Sequence, residues 1–158
     1  MVMASKEEIR QKVWSVIRRE KVARFPGAQG RIPNFVGAEA CARLLAEKSC
    51  WKRARALKCN PDSPQRAIRH KALVEGKIVY MAVPHLRNQK PFIELDPAKL
   101  NCPAYTGSSI QGAAKFGRLI SLDEIKKIDL IICGSVAVNR RGARVGKVAA
   151  IRTWNSPC

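Results

Sequence analysis

Lys6 and Arg10 lie four residues apart in a stretch whose apolar members, Ile9, Val13, Val16 and Ile17, recur at helical spacing. At about 100° per residue these four form one stripe, and both cations fall on or beside it, whereas Lys12, Arg18 and Arg19 point away. A charge turned toward an apolar interior costs several kcal/mol unless it is paired. The pair therefore either meets an anionic ligand or lets its long stems snorkel to water from the first turns of the helix. Other reactive patterns do not stand out. The six cysteines, Cys41, Cys50, Cys59, Cys102, Cys133 and Cys158, include no CxxC pair, and His70 and His85 are the only histidines, so spacing assembles no metal site. No Ser-His-Asp or Cys-His arrangement is defensible from chain order alone. His70, with Arg66 and Arg69 beside it, reads as a surface residue, and Asp129 as the edge of a strand.

The helix that must carry Lys6 and Arg10 is announced by Ser5-Lys6-Glu7-Glu8, a capping box, and is expected to run to about Ala23 before Phe25-Pro26-Gly27. Asn34-Phe35-Val36-Gly37 opens a second, Ala-rich helix with Ala40, Leu44 and Leu45 facing inward. Ala54 to Cys59 alternates small apolar and basic residues, as a strand exposed on one face does. Ser63 then reads as an N-cap with Pro64 at the first helical position, and the helix through Ile68, Ala72 and Leu73 ends near Gly76. Lys77 to Val83 is a strand by its β-branched content, stopped at Pro84. Strand, helix and strand joined by short loops make a βαβ unit and imply parallel pairing. Phe92-Ile93-Glu94-Leu95 is a further strand candidate. Ser121-Leu122-Asp123-Glu124 is a second capping box, expected to start a short helix to about Lys127. Asp129 to Cys133 is so apolar that it belongs in the middle of a covered sheet, with Leu130, Ile131 and Cys133 buried. Val136-Ala137-Val138 and the turn Asn139-Arg140-Arg141-Gly142 lead into Arg144-Val145-Gly146-Lys147.

At 158 residues and 46% apolar content the chain has material for one buried core. Lys, Arg, Asp or Glu interrupts every apolar run before the roughly 18 residues a membrane span requires, and the apolar start Met1-Val2-Met3-Ala4 is too short for a signal peptide. The expected compartment is therefore the cytoplasm, with the nucleus as the alternative, and the cysteines are expected to be free thiols. The formal net charge of +18 points to anionic partners such as nucleotides, polyglutamates or RNA, and the excess is spread along the chain rather than gathered in a tail. A solvated basic surface would give the same composition.

Six stretches in order resemble the 5-formyltetrahydrofolate cyclo-ligase superfamily, and within it the methenyltetrahydrofolate synthetase domain-containing branch. They are Lys6-x-x-x-Arg10, Lys58-Cys59-Asn60-Pro61-Asp62-Ser63-Pro64-Gln65, Arg69-x-x-Ala72-Leu73-x-x-Gly76-Lys77, Tyr80-Met81-x-Val83-Pro84, Asp129 to Val138, and Arg141-Gly142-x-Arg144-x-Gly146-Lys147. The resemblance covers residues 5–147 as one cyclo-ligase-like domain. It implies an α/β, Rossmann-like three-layer sandwich with a mostly parallel sheet. It also implies ATP-driven ring closure of 5-formyltetrahydrofolate, with magnesium accompanying the nucleotide. By resemblance Lys6 and Arg10 stand near that nucleotide, while Arg144, Gly146 and Lys147 begin a phosphate loop whose glycines let backbone amides approach phosphate oxygens.

The chain also departs from the family. Further glycines and an aromatic-Asp element are expected after Gly146, but the chain reads Lys147-Val148-Ala149-Ala150 and ends Asn155-Ser156-Pro157-Cys158, as a truncated or alternative carboxy terminus would. Residues 148–158 are expected to be irregular, and the final strand of the fold to be missing. Ser63-Pro64-Gln65 stands where true cyclo-ligases have a Glu that holds the pterin. The resulting expectation is a cyclo-ligase-like module without turnover that keeps at most weak ATP or anion binding. The alternatives are an active ATP-dependent cyclo-ligase and RNA binding, either electrostatic or through an RNA-recognition domain in a longer form.

Overall fold

A computed structural model of the chain describes residues 5–83 and 89–147. Val148–Cys158 and Pro84 lie outside the described residues, and with them the expectations of an irregular tail, a missing final strand and a strand stop at Pro84. The chain divides into two units, Val36–Gly134 and the pairing of Met1–Phe35 with Ser135–Cys158.

Val36–Gly134 holds the sheet. Its helices are α2 (Ala38–Ala46), α3 (Ser49–Arg53), α4 (Arg66–Val74), α5 (Ala104–Gly107) and α6 (Ile110–Phe116), and its strands are β1 (Ala56–Cys59), β2 (Ile78–Ala82), β3 (Phe92–Leu95), β4 (Arg118–Ile120) and β5 (Leu130–Ile131). The strand order is β4-β3-β2-β1-β5. β1 pairs in parallel with β2, Leu57 opposite Val79, and with β5, Leu57 opposite Leu130. β3 runs antiparallel to both β2 and β4. Four strands therefore point one way and β3 alone is reversed, a Rossmann-like α/β sheet with the expected βαβ crossover from β1 through α4 to β2.

The two-residue period of the strands sorts the core into two faces. Leu57, Cys59, Val79, Met81, Ile93 and Leu95 pack with Trp51, Ala72, Leu73 and Ala113 from α3, α4 and α6. Ala56, Tyr80 and Ile120 turn to the other face, where Ile125 and Ile128 cover them. β1 is thus covered on both faces rather than exposed on one, and only Lys58 in it is less than fully buried.

Several local expectations change for identifiable reasons. Among the described residues β5 stands at the sheet's edge and pairs with β1 alone; Ile131 is 59% exposed, Cys133 is exposed and Leu130 is half-buried. Within those residues the apolar run that suggested a central strand is an edge. No helix follows Ser121: the Glu124 carboxylate accepts from the Ser121 amide at 2.9 Å and hydroxyl at 3.0 Å and from Arg118 at 2.6 Å. The Ser121 hydroxyl therefore donates and does not cap, and the chain continues without a helix, with Ile125 and Ile128 on the sheet. In α2 it is Ala38 and Ala42 that are buried, while Leu44 is 58% exposed. Ser63 begins a 3-10 turn, Ser63–Gln65, with Asp62 as its N-cap residue, before α4 starts at Arg66.

The other unit contains α1 (Lys6–Arg19) and a hairpin of β6 (Ala137–Val138) and β7 (Arg144–Val145). The capping box is formed, Ser5 Oγ accepting from the Glu8 amide and Glu8 from the Ser5 amide. α1 stops at Arg19 rather than Ala23. Val22 N–H donates to Ile17 C=O and Lys21 N–H to Arg18 C=O, the two bonds of a Schellman motif, with Lys21 at φ 53° in the left-handed position usually given to glycine. Trp14 fills this unit's core with Ala28, Ile32 and Val136, and its indole N–H donates to Arg31 C=O at 3.1 Å.

Candidate anion-binding site

α1 packs against β6 and β7, because Trp14, Val13 and Ile17 share the stripe that covers Val136. The hairpin is fixed at its tip, where the Asn139 carboxamide oxygen accepts from the Arg141 and Ala143 amides at 3.0 and 2.9 Å. Gly142 turns the chain at φ 84°, a value that disfavours any side chain. At the base Val136 N–H donates to Val145 C=O at 2.7 Å.

This packing brings Arg10 to the segment expected to form the phosphate loop. Arg10 Nε donates to Gly146 C=O at 2.8 Å, and its Nη1 meets the Glu7 carboxylate at 3.1 Å. The Arg10 side chain is 13% exposed, so the inward-facing cation neither snorkels nor stays unpaired. The same guanidinium, with the Gln11 amide as the larger cause, holds the Glu7 carboxyl below its ordinary range. Lys6 is exposed on the first turn, one turn from Arg10, and has no hydrogen bond or ion pair among the described residues. Arg144 and Lys147 are also exposed, and Gly146 is half-buried.

Among the described residues a Cβ at Gly146 would meet the Arg144 guanidinium at 3.6 Å, an ordinary contact. The Gly146 carbonyl, an acceptor, faces Arg10. The arrangement supplies cations around the segment, but its resolved contact offers a carbonyl where a phosphate would want an amide.

The sheet unit holds polar residues whose roles were not legible from motifs. Arg69 is 1% exposed and donates to three backbone carbonyls: Ser108 at 2.8 Å, Asn60 at 2.6 Å and Asp62 at 3.2 Å. Burial pulls its guanidinium down to about 10. Gln65 is 3% exposed and its Oε1 accepts from the Asn60 amide at 2.9 Å. The signal was available, since Gln65, Arg69 and Leu73 recur every four residues on one helical stripe. Asp129 caps the start of β1, accepting from the Arg55 and Ala56 amides at 2.8 and 3.1 Å. It is structural, as a strand-edge residue should be. His70 packs edge-on against Tyr105, with ring centroids 5.7 Å apart.

Residues 2–148 match the model of the 5-formyltetrahydrofolate cyclo-ligase family. Methenyltetrahydrofolate synthase domain-containing proteins are similar over most of the chain. That of Mus musculus is 35% identical over 150 residues, that of Bos taurus 33% over 150, and that of Homo sapiens 30% over 153. These alignments cover 90%, 90% and 92% of this chain but 39%, 38% and 39% of the relatives, so the chain spans about two fifths of their length. No helix among the described residues is long and apolar enough to cross a membrane.

Proposed function

The chain belongs to the 5-formyltetrahydrofolate cyclo-ligase family, and from that membership we propose a cyclo-ligase-like module that holds ATP or a similar anion at α1 and β7 without completing ring closure. The observation that carries the reading is the 2.8 Å hydrogen bond from Arg10 to Gly146 C=O, which joins the amino-terminal cations to the loop segment. Lys6, Arg144 and Lys147 add exposed positive charge along the same two segments. These residues fit the charge of a phosphate. They do not fit the cradle of backbone amides that phosphoryl transfer depends on. ATP with magnesium would supply the phosphoryl group that turns a formyl oxygen into a leaving group; this chain's residues would contribute attraction and orientation only.

Two features argue against turnover. Arg10 is committed to Glu7 and to a carbonyl, and Lys147-Val148-Ala149-Ala150 places side chains where the family has glycines. Loss of one preorganised donor to a developing anion costs about 10²–10³ in rate, and several losses compound. A second reading, electrostatic RNA binding, is favoured by Arg140 and Arg141, both exposed at the hairpin tip of a chain with net charge +18. Such binding would weaken steeply with salt.

The test is a thermal-shift titration of the chain with ATP and magnesium. A ligand that binds only the folded state must raise the melting temperature. A saturable rise that Arg10→Ala and Lys6→Ala reduce supports the reading, and a flat response in the native chain overturns it.

A further inference from the structure

Phe25 is 93% exposed at the apex of a tight turn that follows α1. The Gly27 amide donates to Arg24 C=O at 2.6 Å, which makes Phe25 and Pro26 the turn's two central residues. Asn34 fastens the turn from the returning arm of the loop. Its carboxamide donates to Phe25 C=O at 2.6 Å, its carbonyl accepts from the Arg24 amide at 2.9 Å, and its amide donates to Gly27 C=O at 3.3 Å. An antiparallel bridge between Ala23 and Phe35 closes the two arms. The backbone under the ring is thus engaged, while the ring itself lies in solvent.

A single exposed apolar side chain carries no argument by itself, but this one is set among cations. Residues 18–31 include Arg18, Arg19, Lys21, Arg24 and Arg31, all exposed, against one acid, Glu20, which pairs with Arg19 at 2.9 Å. The unit shares this bias. Residues 5–35 and 135–147 hold twelve Lys and Arg against three Asp and Glu, net +9 in 44 residues, whereas residues 36–83 and 89–134 hold sixteen against nine, net +7 in 94.

An apolar point set among cations matches the outer layer of an anionic bilayer, where phosphates and carboxylates lie over acyl chains. A turn already fixed by hydrogen bonds presents its ring without a further ordering cost. Single-stranded nucleic acid is the poorer match, because successive bases stack on successive aromatic platforms, and Phe25 is the one exposed aromatic among this unit's described residues, Trp14 being buried and Phe35 half-buried.

We propose that turn 24–27 is a membrane-surface anchor: Phe25 enters the headgroup layer of an anionic bilayer, and Arg18, Lys21, Arg24 and Arg31 stay at its phosphates. The chain lies on such a surface and does not cross it, since no helix among the described residues is long and apolar enough to do so. The anchor shares no residue with Lys6, Arg10, Arg144, Gly146 and Lys147, and it stands whether or not a nucleotide is held there.

The experiment sediments the whole chain with vesicles of about one third phosphatidylserine and two thirds phosphatidylcholine, and with vesicles of phosphatidylcholine alone. The mixed vesicles should bind the chain, and phosphatidylcholine alone should bind it at least about tenfold more weakly. Phe25→Ala should keep the melting temperature, because the ring is in solvent, and weaken binding to the mixed vesicles about tenfold. Phe25→Trp should retain binding, with the added indole's emission shifting to the blue as it leaves water. Absence of binding to the mixed vesicles overturns the proposal, as does equal binding by folded Phe25→Ala or by phosphatidylcholine alone. Single-stranded polyuridylate is the third arm: if it binds and Phe25→Ala weakens that binding while the mixed vesicles stay free, the turn is a nucleic-acid contact and the proposal falls.

Discussion

Replacing Arg69 by Met should destabilise the protein severely without touching the α1 and β7 segments. Arg69 is 1% exposed and donates three bonds to backbone carbonyls on two separate loops, at Asn60, Asp62 and Ser108. A hydrogen bond from a charged donor contributes about 1.5–3 kcal/mol, so three amount to about 5–9 kcal/mol before allowance for their sharing one side chain. The charged form is itself disfavoured by burial: a guanidinium drawn from 12.5 to about 10 corresponds to about 3 kcal/mol against the ion. The net loss in Arg69→Met is therefore about 2–6 kcal/mol, in keeping with about 3–5 kcal/mol for breaking one side of a buried charged interaction. Met fills much of the stem's volume, so the loss reports the unpaired carbonyls more than a cavity. Urea unfolding followed by tryptophan fluorescence measures it, and Arg69→Lys should retain only part of the stability, because an ammonium cannot span three carbonyls with a planar fork. A loss under 1 kcal/mol in Arg69→Met would refute the clamp.

Acid should weaken the sheet through two carboxylates whose folded values are depressed: Glu124, held at about 2 by the Ser121 amide and hydroxyl and by Arg118, and Asp129, lowered by the Arg55 and Ala56 amides. Their contribution is complete above the ordinary carboxylate range and is lost as pH falls from about 4.5 toward 2. Urea midpoints of the native chain and Glu124→Gln should therefore differ at pH 6 and converge near pH 2. Lys21→Gly should stabilise the chain by about 1 kcal/mol, because glycine adopts the left-handed position at the end of α1 without strain; the melting temperature should rise about 2–4 °C. Thiol labelling read by peptide mass spectrometry should modify Cys41, Cys50 and Cys133, all exposed, and spare Cys59, which is buried and pushed up to about 12 by that burial.

The sheet's order of elements was legible because its signals are local. The alternation of small apolar and basic residues over Ala54 to Cys59, the β-branched content of Lys77 to Val83 and the proline start before α4 each act over a few residues. Position within the sheet was not legible. The run around Ile131 is as apolar as a central strand, yet among the described residues its neighbour on one side is β1 and it has none on the other. Ser121 and Glu124 satisfied a capping pattern, but Arg118, three residues upstream, reaches the carboxylate across a turn. α1 ran past its true end in sequence because Lys21 adopts a backbone conformation that only a glycine would have advertised. Of the site, the approach of Arg10 to Gly146 was legible from the cations on the apolar stripe and the family resemblance. Glu7 as its partner and the direction of the Gly146 carbonyl depend on how α1 sits against the hairpin, which no spacing records.

Ring closure is followed directly by the methenyl chromophore it forms. Purified chain incubated with ATP, magnesium and 5-formyltetrahydrofolate should form the methenyl product no faster than a protein-free control, while ATP with magnesium still raises the melting temperature. Magnesium-dependent formation of the methenyl chromophore, abolished by Lys6→Ala, would contradict it.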